Sequence, residues 1–156
     1  YICSQVNPTL FDRLVYSMIY DVSSSDELLE LRQILDESTV QLAMSKITPE
    51  EVEKLQHSID KMKDACKNQD VEQMQTCDLE FHMLLIDSCK NIFFIRILKS
   101  VYSIFEKSIV ENVRKETVDS KAPLYHQRIL DCIVNKDYNT VHEVVAESLA
   151  TWRERV

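Results

Sequence analysis

The chain has 156 residues and contains no glycine, three prolines and one tryptophan. Tight hairpin turns depend on glycine for backbone angles that other residues resist. Its absence argues against a strand-and-hairpin architecture and favours helices joined by short polar turns. No apolar run approaches the roughly 20 residues that span a bilayer. Tyr1 to Val6 show no basic segment followed by an apolar one, so neither a membrane helix nor a signal peptide is expected. Basic clusters are missing too. The formal charge is −8, and the nearest basic pair, Arg114-Lys115, runs straight into Glu116. Direct binding of nucleic acid needs clustered Lys and Arg to meet phosphates. The five cysteines, Cys3, Cys66, Cys77, Cys89 and Cys132, form no CxxC pair and are odd in number. They suit reduced thiols in a cytoplasmic protein better than a disulfide framework.

What is present is helical punctuation and periodicity over the length of one domain. Asn7-Pro8 reads as a helix start, giving a short helix to about Tyr20. Ser23-Ser24-Ser25 closes it and caps a second helix, about Asp26 to Lys46, with the stripe Leu28, Leu31, Leu35, Leu42. Thr48-Pro49-Glu50-Glu51 is a capping box with proline at the first helical position, opening a helix to about Asn68. Asp70 caps a helix to Cys89. Asn91 caps the longest one, about Ile92 to Lys115, with Ile95, Leu98, Val101, Tyr102 and Phe105 inward. Pro123 starts a helix to about Asn135, and Asp137 opens the last, with Val141, Val145, Leu149 and Trp152 on one face. The expected fold is all-α, an antiparallel bundle of about six to seven helices.

Three of these helices carry polar groups where the pattern calls for apolar ones. Asp78 and His82, four residues apart, share a face with Val71, Met74, Phe81 and Leu85. His126 shares one with Ile129, Leu130 and Ile133, and Arg32 lies one turn from Leu28 and from Leu35. Buried charge is costly unless it is paired, hydrogen-bonded or bound to a cation. A carboxylate and an imidazole one turn apart stand close enough to hold one metal ion. The same spacing fits a buried Asp78–Arg32 ion pair, a core histidine satisfied by its neighbours, or Arg32 paired with Glu30 or Asp36 along its own helix. Spacing alone leaves these open. There is no di-iron ExxH set, no HExxH helix and no glycine-rich phosphate loop. Cys77 or Cys89 beside a histidine would be a nucleophile, but no oxyanion donors can be placed for it.

The polar residues fall into ordered runs. Glu30-Leu31-Arg32-Gln33-Ile34-Leu35-Asp36 matches E-x-R-x-x-L-[ED]. Asp78-Leu79-Glu80-Phe81-His82 matches D-x-x-F-H and is followed by Ser88-Cys89-Lys90-Asn91. His126-Gln127-Arg128-Ile129 matches H-x-x-I, and the turn Asn135-Lys136-Asp137 precedes the last helix. Together they resemble the FCD effector domain of the FadR branch of the GntR transcription regulators, over about Thr9 to Trp152.

The resemblance implies an effector-sensing helical domain preceded by a winged-helix DNA-binding domain. Residues 1–6 would then be the end of that domain, Tyr1-Ile2-Cys3 looking like the tail of its wing, and residues 7–156 the ligand-binding domain. Metal-binding members use one Asp and three His. Asp78, His82 and His126 match three of these positions, and Ser148 stands where the pattern A-x-x-x-M-x-x-H-L has the fourth. His142, six residues earlier, lies well round the helix. A divalent ion, Zn²⁺, Ni²⁺ or Mn²⁺, is therefore expected on Asp78, His82 and His126, with water or an effector carboxylate in the open positions. A small organic acid would place its carboxylate on the metal and on Arg32, with Asn91 and Ser148 donating neutral hydrogen bonds nearby.

The resemblance further implies a homodimer that meets DNA only through the preceding domain and has no catalytic activity. Acyl-CoA-binding members lack the metal set, so a metal-free effector pocket is one alternative. A metal-dependent hydrolase is another, since an open metal position also activates water. Glu80, directed away from the core, leaves such an enzyme without a general base. Replacing His82 or Arg32 by alanine is expected to abolish the effector response with the fold largely intact.

Overall fold

Several of the helix ends have a local chemical cause. The computed structural model describes residues 25–113 and 121–153, which form α1 (Ser25–Lys46), α2 (Pro49–Asn68), α3 (Val71–Ser88), α4 (Ile92–Val113), α5 (Ala122–Asn135) and α6 (Val141–Arg153). The fold is all-α, with six helices and no strand among the described residues. The expected helix over 8–20, the wing-like Tyr1-Ile2-Cys3, Lys115 and the side chains of Phe105 and Trp152 lie outside the described residues. At the start of α2 the Thr48 hydroxyl accepts from the Glu51 amide at 3.3 Å, while the Glu51 carboxylate accepts from the Thr48 amide at 2.8 Å. Asp70 Oδ1 accepts from the Gln73 amide at 3.0 Å and starts α3. The reciprocal Thr48–Glu51 box and the single Asp70 cap satisfy helix amides that otherwise have no intrahelical partner.

The last helix begins later than the sequence suggests. Asp137 does not open it; its Oδ1 accepts from the Asn139 amide at 3.2 Å and holds a turn. α6 starts at Val141, and the Thr140 carbonyl accepts from the Val144 amide at 2.9 Å. The same aspartate chemistry serves a turn as well as a helix cap.

With no glycine available, three residues adopt left-handed backbone: Gln69 (φ 58°), Lys90 (φ 48°) and Lys136 (φ 52°), following α2, α3 and α5. Each costs about 1–2 kcal/mol relative to glycine, whose own unfolded-state freedom offsets part of that. Lys136→Gly is expected to stabilise the fold by about 0.5–1 kcal/mol and raise the melting temperature by about 2 °C. A lower melting temperature would contradict this account of the cap.

α1 is the central element, packed against α3, α5 and α6; α2 pairs with α3 and α5, α5 with α6, and α4 leans on α3. Its expected core stripe is displaced. Leu28, Leu31, Leu35 and Leu42 are only half-buried, whereas Leu29, Arg32, Asp36, Val40 and Met44 form the fully buried line. Helices surround α1 on several sides, so the leucines cover its flank and the line with two charged residues runs through the middle. The interior is closed by Phe81, Ile59, Leu98, Ile133 and Val145, all essentially inaccessible. Among the described residues, no helix is long and apolar enough to cross a membrane.

Candidate functional site

α3 carries Asp78 and His82 one turn apart, and the first turns of α5 carry His126. One donor atom from each lies within 4.8 Å of the others. Asp78 Oδ1 stands 3.3 Å from His126 Nε2. The His126 ring lies flat on Phe81, centroids 4.0 Å apart, and edge-on to His82 at 5.1 Å. Aromatic packing thus fixes both imidazole planes. His126 Nδ1 is buried and has no hydrogen-bond partner among the described residues.

Behind this cluster sits a buried polar chain. Tyr102 of α4 presents its hydroxyl 3.4 Å from His82 Nδ1 and donates to the Asp36 carboxylate. Arg32 Nε donates to Asp36 Oδ2 at 3.4 Å, and its guanidinium carbon lies 5.7 Å from the Tyr102 ring centre, within cation–π range. Arg32 is 5% exposed and Asp36 9%.

Electrostatics follow from burial. Burial pushes the Asp78 carboxyl up to about 6, with Arg32 opposing. It pulls His126 down to about 3, helped by Arg32, and takes His82 well below its ordinary value, helped by His126 and Arg32. At neutral pH both imidazoles are uncharged and Asp78 is largely ionised. Burial works against the Arg32 charge, but Tyr102, Asp36 and Asp78 outweigh it. Burial raises the Asp36 carboxyl above its ordinary value, with Arg32 and Tyr102 opposing.

This is a donor set in the protonation state a metal requires: two neutral imidazoles and a carboxylate. Around a tetrahedral ion at about 2.1 Å the donors would stand about 3.4 Å apart. A closure of about an ångström, within reach of side-chain adjustment, would bring this set there. The carboxylate beside the neutral His126 Nε2 fits such an ion.

The remaining expected site residues are placed differently. Asn91 is exposed, and its Oδ1 accepts from the Phe93 and Phe94 amides at 3.2 and 3.3 Å as the cap of α4. Ser148 is half-buried and donates to the Val145 carbonyl of its own helix at 2.7 Å. His142 lies on the surface beside Glu37, 2.9 Å away. Arg32 takes Asp36 as its ion-pair partner, and its charge also acts on Asp78. Sequence reading missed the roles of Asp36, considered only as a helix-surface partner, and of the Tyr102 hydroxyl, hidden in an apolar stripe. The signal for Asp36 was its spacing of four from Arg32 and from Val40.

A cavity of about 10 Å³ adjoins the cluster, lined by the polar Asp36, Thr39, His82 and Tyr102 and by apolar residues that include Val40, Ile129 and Val145. It has room for about one water.

A family model described as the FCD domain matches residues 27–151. YcbG of Bacillus subtilis (strain 168), named as an uncharacterized HTH-type transcriptional regulator, is 26% identical over 132 residues, covering 83% of this chain and 53% of that protein. The chain thus spans about half the length of this curated relative. The solved structure of Streptococcus agalactiae GntR matches with a TM-score of 0.66 at 22% identity, over 98% of this chain and 63% of that one, a likeness of fold. Matched across nearly all of its described helices, and carrying the ordered runs that resemble the family, the chain belongs to the FCD-domain family.

Proposed function

We propose that the chain is a ligand-sensing domain that holds a divalent ion, Zn²⁺, Ni²⁺ or Mn²⁺, on Asp78, His82 and His126. It reads a small organic acid whose carboxylate reaches the ion and Arg32. The observation that carries this reading is the convergence of three donors within 4.8 Å, two buried imidazoles and a half-buried carboxylate. A bound ion would supply positive charge and open coordination positions for carboxylate oxygens. Family membership supports an effector-binding regulatory role, with the DNA-binding domain outside residues 7–156 and a cytoplasmic homodimer as the working form.

The size of the cavity gives the mechanism its physical content. The cavity has room for about one water, so an organic acid would enter it by parting the helices that bear Asp36, His82 and Tyr102. A ligand that contacts α1, α3, α4 and α5 only in a shifted packing biases the domain toward that packing. Linkage then changes the affinity of an attached DNA-binding domain by the same coupling energy. An acyl chain would demand a far larger opening, which favours the small acid over the acyl-CoA alternative. Glu80 sits at the surface, 3.6 Å from Lys61. It is no general base for the cluster, which favours sensing over hydrolysis.

The test is a melting screen of chelator-treated and metal-reloaded protein against acetate, malate and citrate. One acid is expected to raise the melting temperature only in the reloaded protein, by the equivalent of about 2.7 kcal/mol at 100 times its dissociation constant. No shift with any acid in either form would contradict the reading. Chelator-sensitive turnover of esters or amides would replace it with the hydrolase.

A further inference from the structure

We infer that Tyr102 is a positioning residue that fixes the tautomer of His82 and leaves Nε2 as the ring's one lone pair. The inference gains its consequence for ligand binding from the metal-site reading above, but its structural content is independent of it.

A tyrosine hydroxyl has a single proton. Here that proton points at Asp36, a carboxylate that can only accept and whose Oδ2 already receives the Arg32 Nε–H at 3.4 Å. The hydroxyl therefore turns lone-pair density toward His82 Nδ1, 3.4 Å away. A neutral imidazole placed so must carry its proton on Nδ1, because the opposite tautomer sets two lone pairs against each other.

The direction of the chain is set at its far end. Arg32 donates to Asp36, Asp36 accepts from the Tyr102 hydroxyl, and Tyr102 accepts from His82. A protonated Asp36 donating to Tyr102 would reverse the Asp36–Tyr102 and Tyr102–His82 bonds, put the His82 proton on Nε2 and block that nitrogen as a ligand. The relay spans α1, α4 and α3, so one buried arginine on α1 governs the ligating capacity of a histidine on α3. Outer partners of this kind raise ligand basicity and fix ring orientation, and their loss typically weakens metal binding by about 10–100-fold.

The test uses the full chain, freed of metal with chelator and labelled with ¹⁵N-histidine. Long-range proton–nitrogen spectra report the tautomer of each of the four histidines. The parent protein is expected to show His82 as the Nδ1–H form. Tyr102→Phe keeps the ring and removes only the hydroxyl. It is expected to shift His82 toward Nε2–H, leave the His57 and His142 signals in place, and weaken Zn²⁺ binding by about 10–100-fold. A parent His82 with its proton on Nε2 overturns the inference, and that spectrum needs no variant to fold. An unchanged Nδ1–H signal in folded Tyr102→Phe also overturns it. If the parent shows the expected tautomer yet binds no Zn²⁺, the metal reading fails and the Tyr102 assignment stands.

Discussion

Arg32→Ala is expected to lose about 3–5 kcal/mol of folding stability, a large share of the roughly 5–15 kcal/mol that holds a domain together. Asp36 is 9% exposed, and Arg32 is the cation that offsets its charge. Truncating the arginine strands a buried carboxylate, and leaving one charge of a buried pair unpaired is what makes such losses large. This revises the expectation that alanine at position 32 spares the fold. That expectation took Arg32 for an anion receptor at the core edge, whereas it lies in the centre of the buried line of α1. The double substitution Arg32→Met with Asp36→Leu removes both charges and is expected to recover most of the loss. Urea denaturation of the parent, the single and the double variant measures it. A loss below about 1 kcal/mol for Arg32→Ala, the range of an exposed pair, would show that the pair is not the buried link described.

His82→Ala is expected to weaken Zn²⁺ binding by at least about 100-fold. Structural zinc sites gain about 10–16 kcal/mol from four ligands, so one ligand accounts for about 3 kcal/mol, or two orders of magnitude. The fold should survive at a cost of about 1–3 kcal/mol for the space opened beside Phe81 and Tyr102. The two alanine variants therefore separate. His82→Ala loses the ion and keeps its structure, while Arg32→Ala loses structure first. Competition with a chromophoric chelator, with melting recorded on the same samples, distinguishes them. Unchanged affinity in folded His82→Ala would remove His82 from the site.

The parts of this domain that sequence makes legible are those with local causes. The Thr48–Glu51 box and the Asp70 cap are complete within four residues, so they announce α2 and α3 without tertiary information. Asp78, His82 and His126 were legible as intrusions on apolar faces, because burying a polar group demands a partner. α1 was only half legible. A helix packed on three sides has no single apolar face, and the leucine flank carried a stronger hydrophobic signal than the buried line through Arg32 and Asp36. Tyr102 hid its hydroxyl in the stripe of α4, since spacing reports where a ring lies and not where its oxygen points. Asn91 was read both as a helix cap and as a ligand contact, and its exposed position serves the cap. Asp137 was misplaced because one carboxylate can start a turn or a helix, and only the chain that follows decides which.

The central claim is that Asp78, His82 and His126 together hold one divalent ion. The most direct measurement is a Zn²⁺ titration of chelator-stripped protein, following bound metal and melting temperature together, with His82→Ala as the control. The account predicts saturation at one ion per chain and a melting temperature that climbs with free Zn²⁺, by the equivalent of about 4 kcal/mol at 1,000 times the dissociation constant. Both effects should be absent from the variant in the same concentration range. A parent protein that takes up no Zn²⁺, or one whose uptake and melting shift are unchanged in His82→Ala, would contradict it.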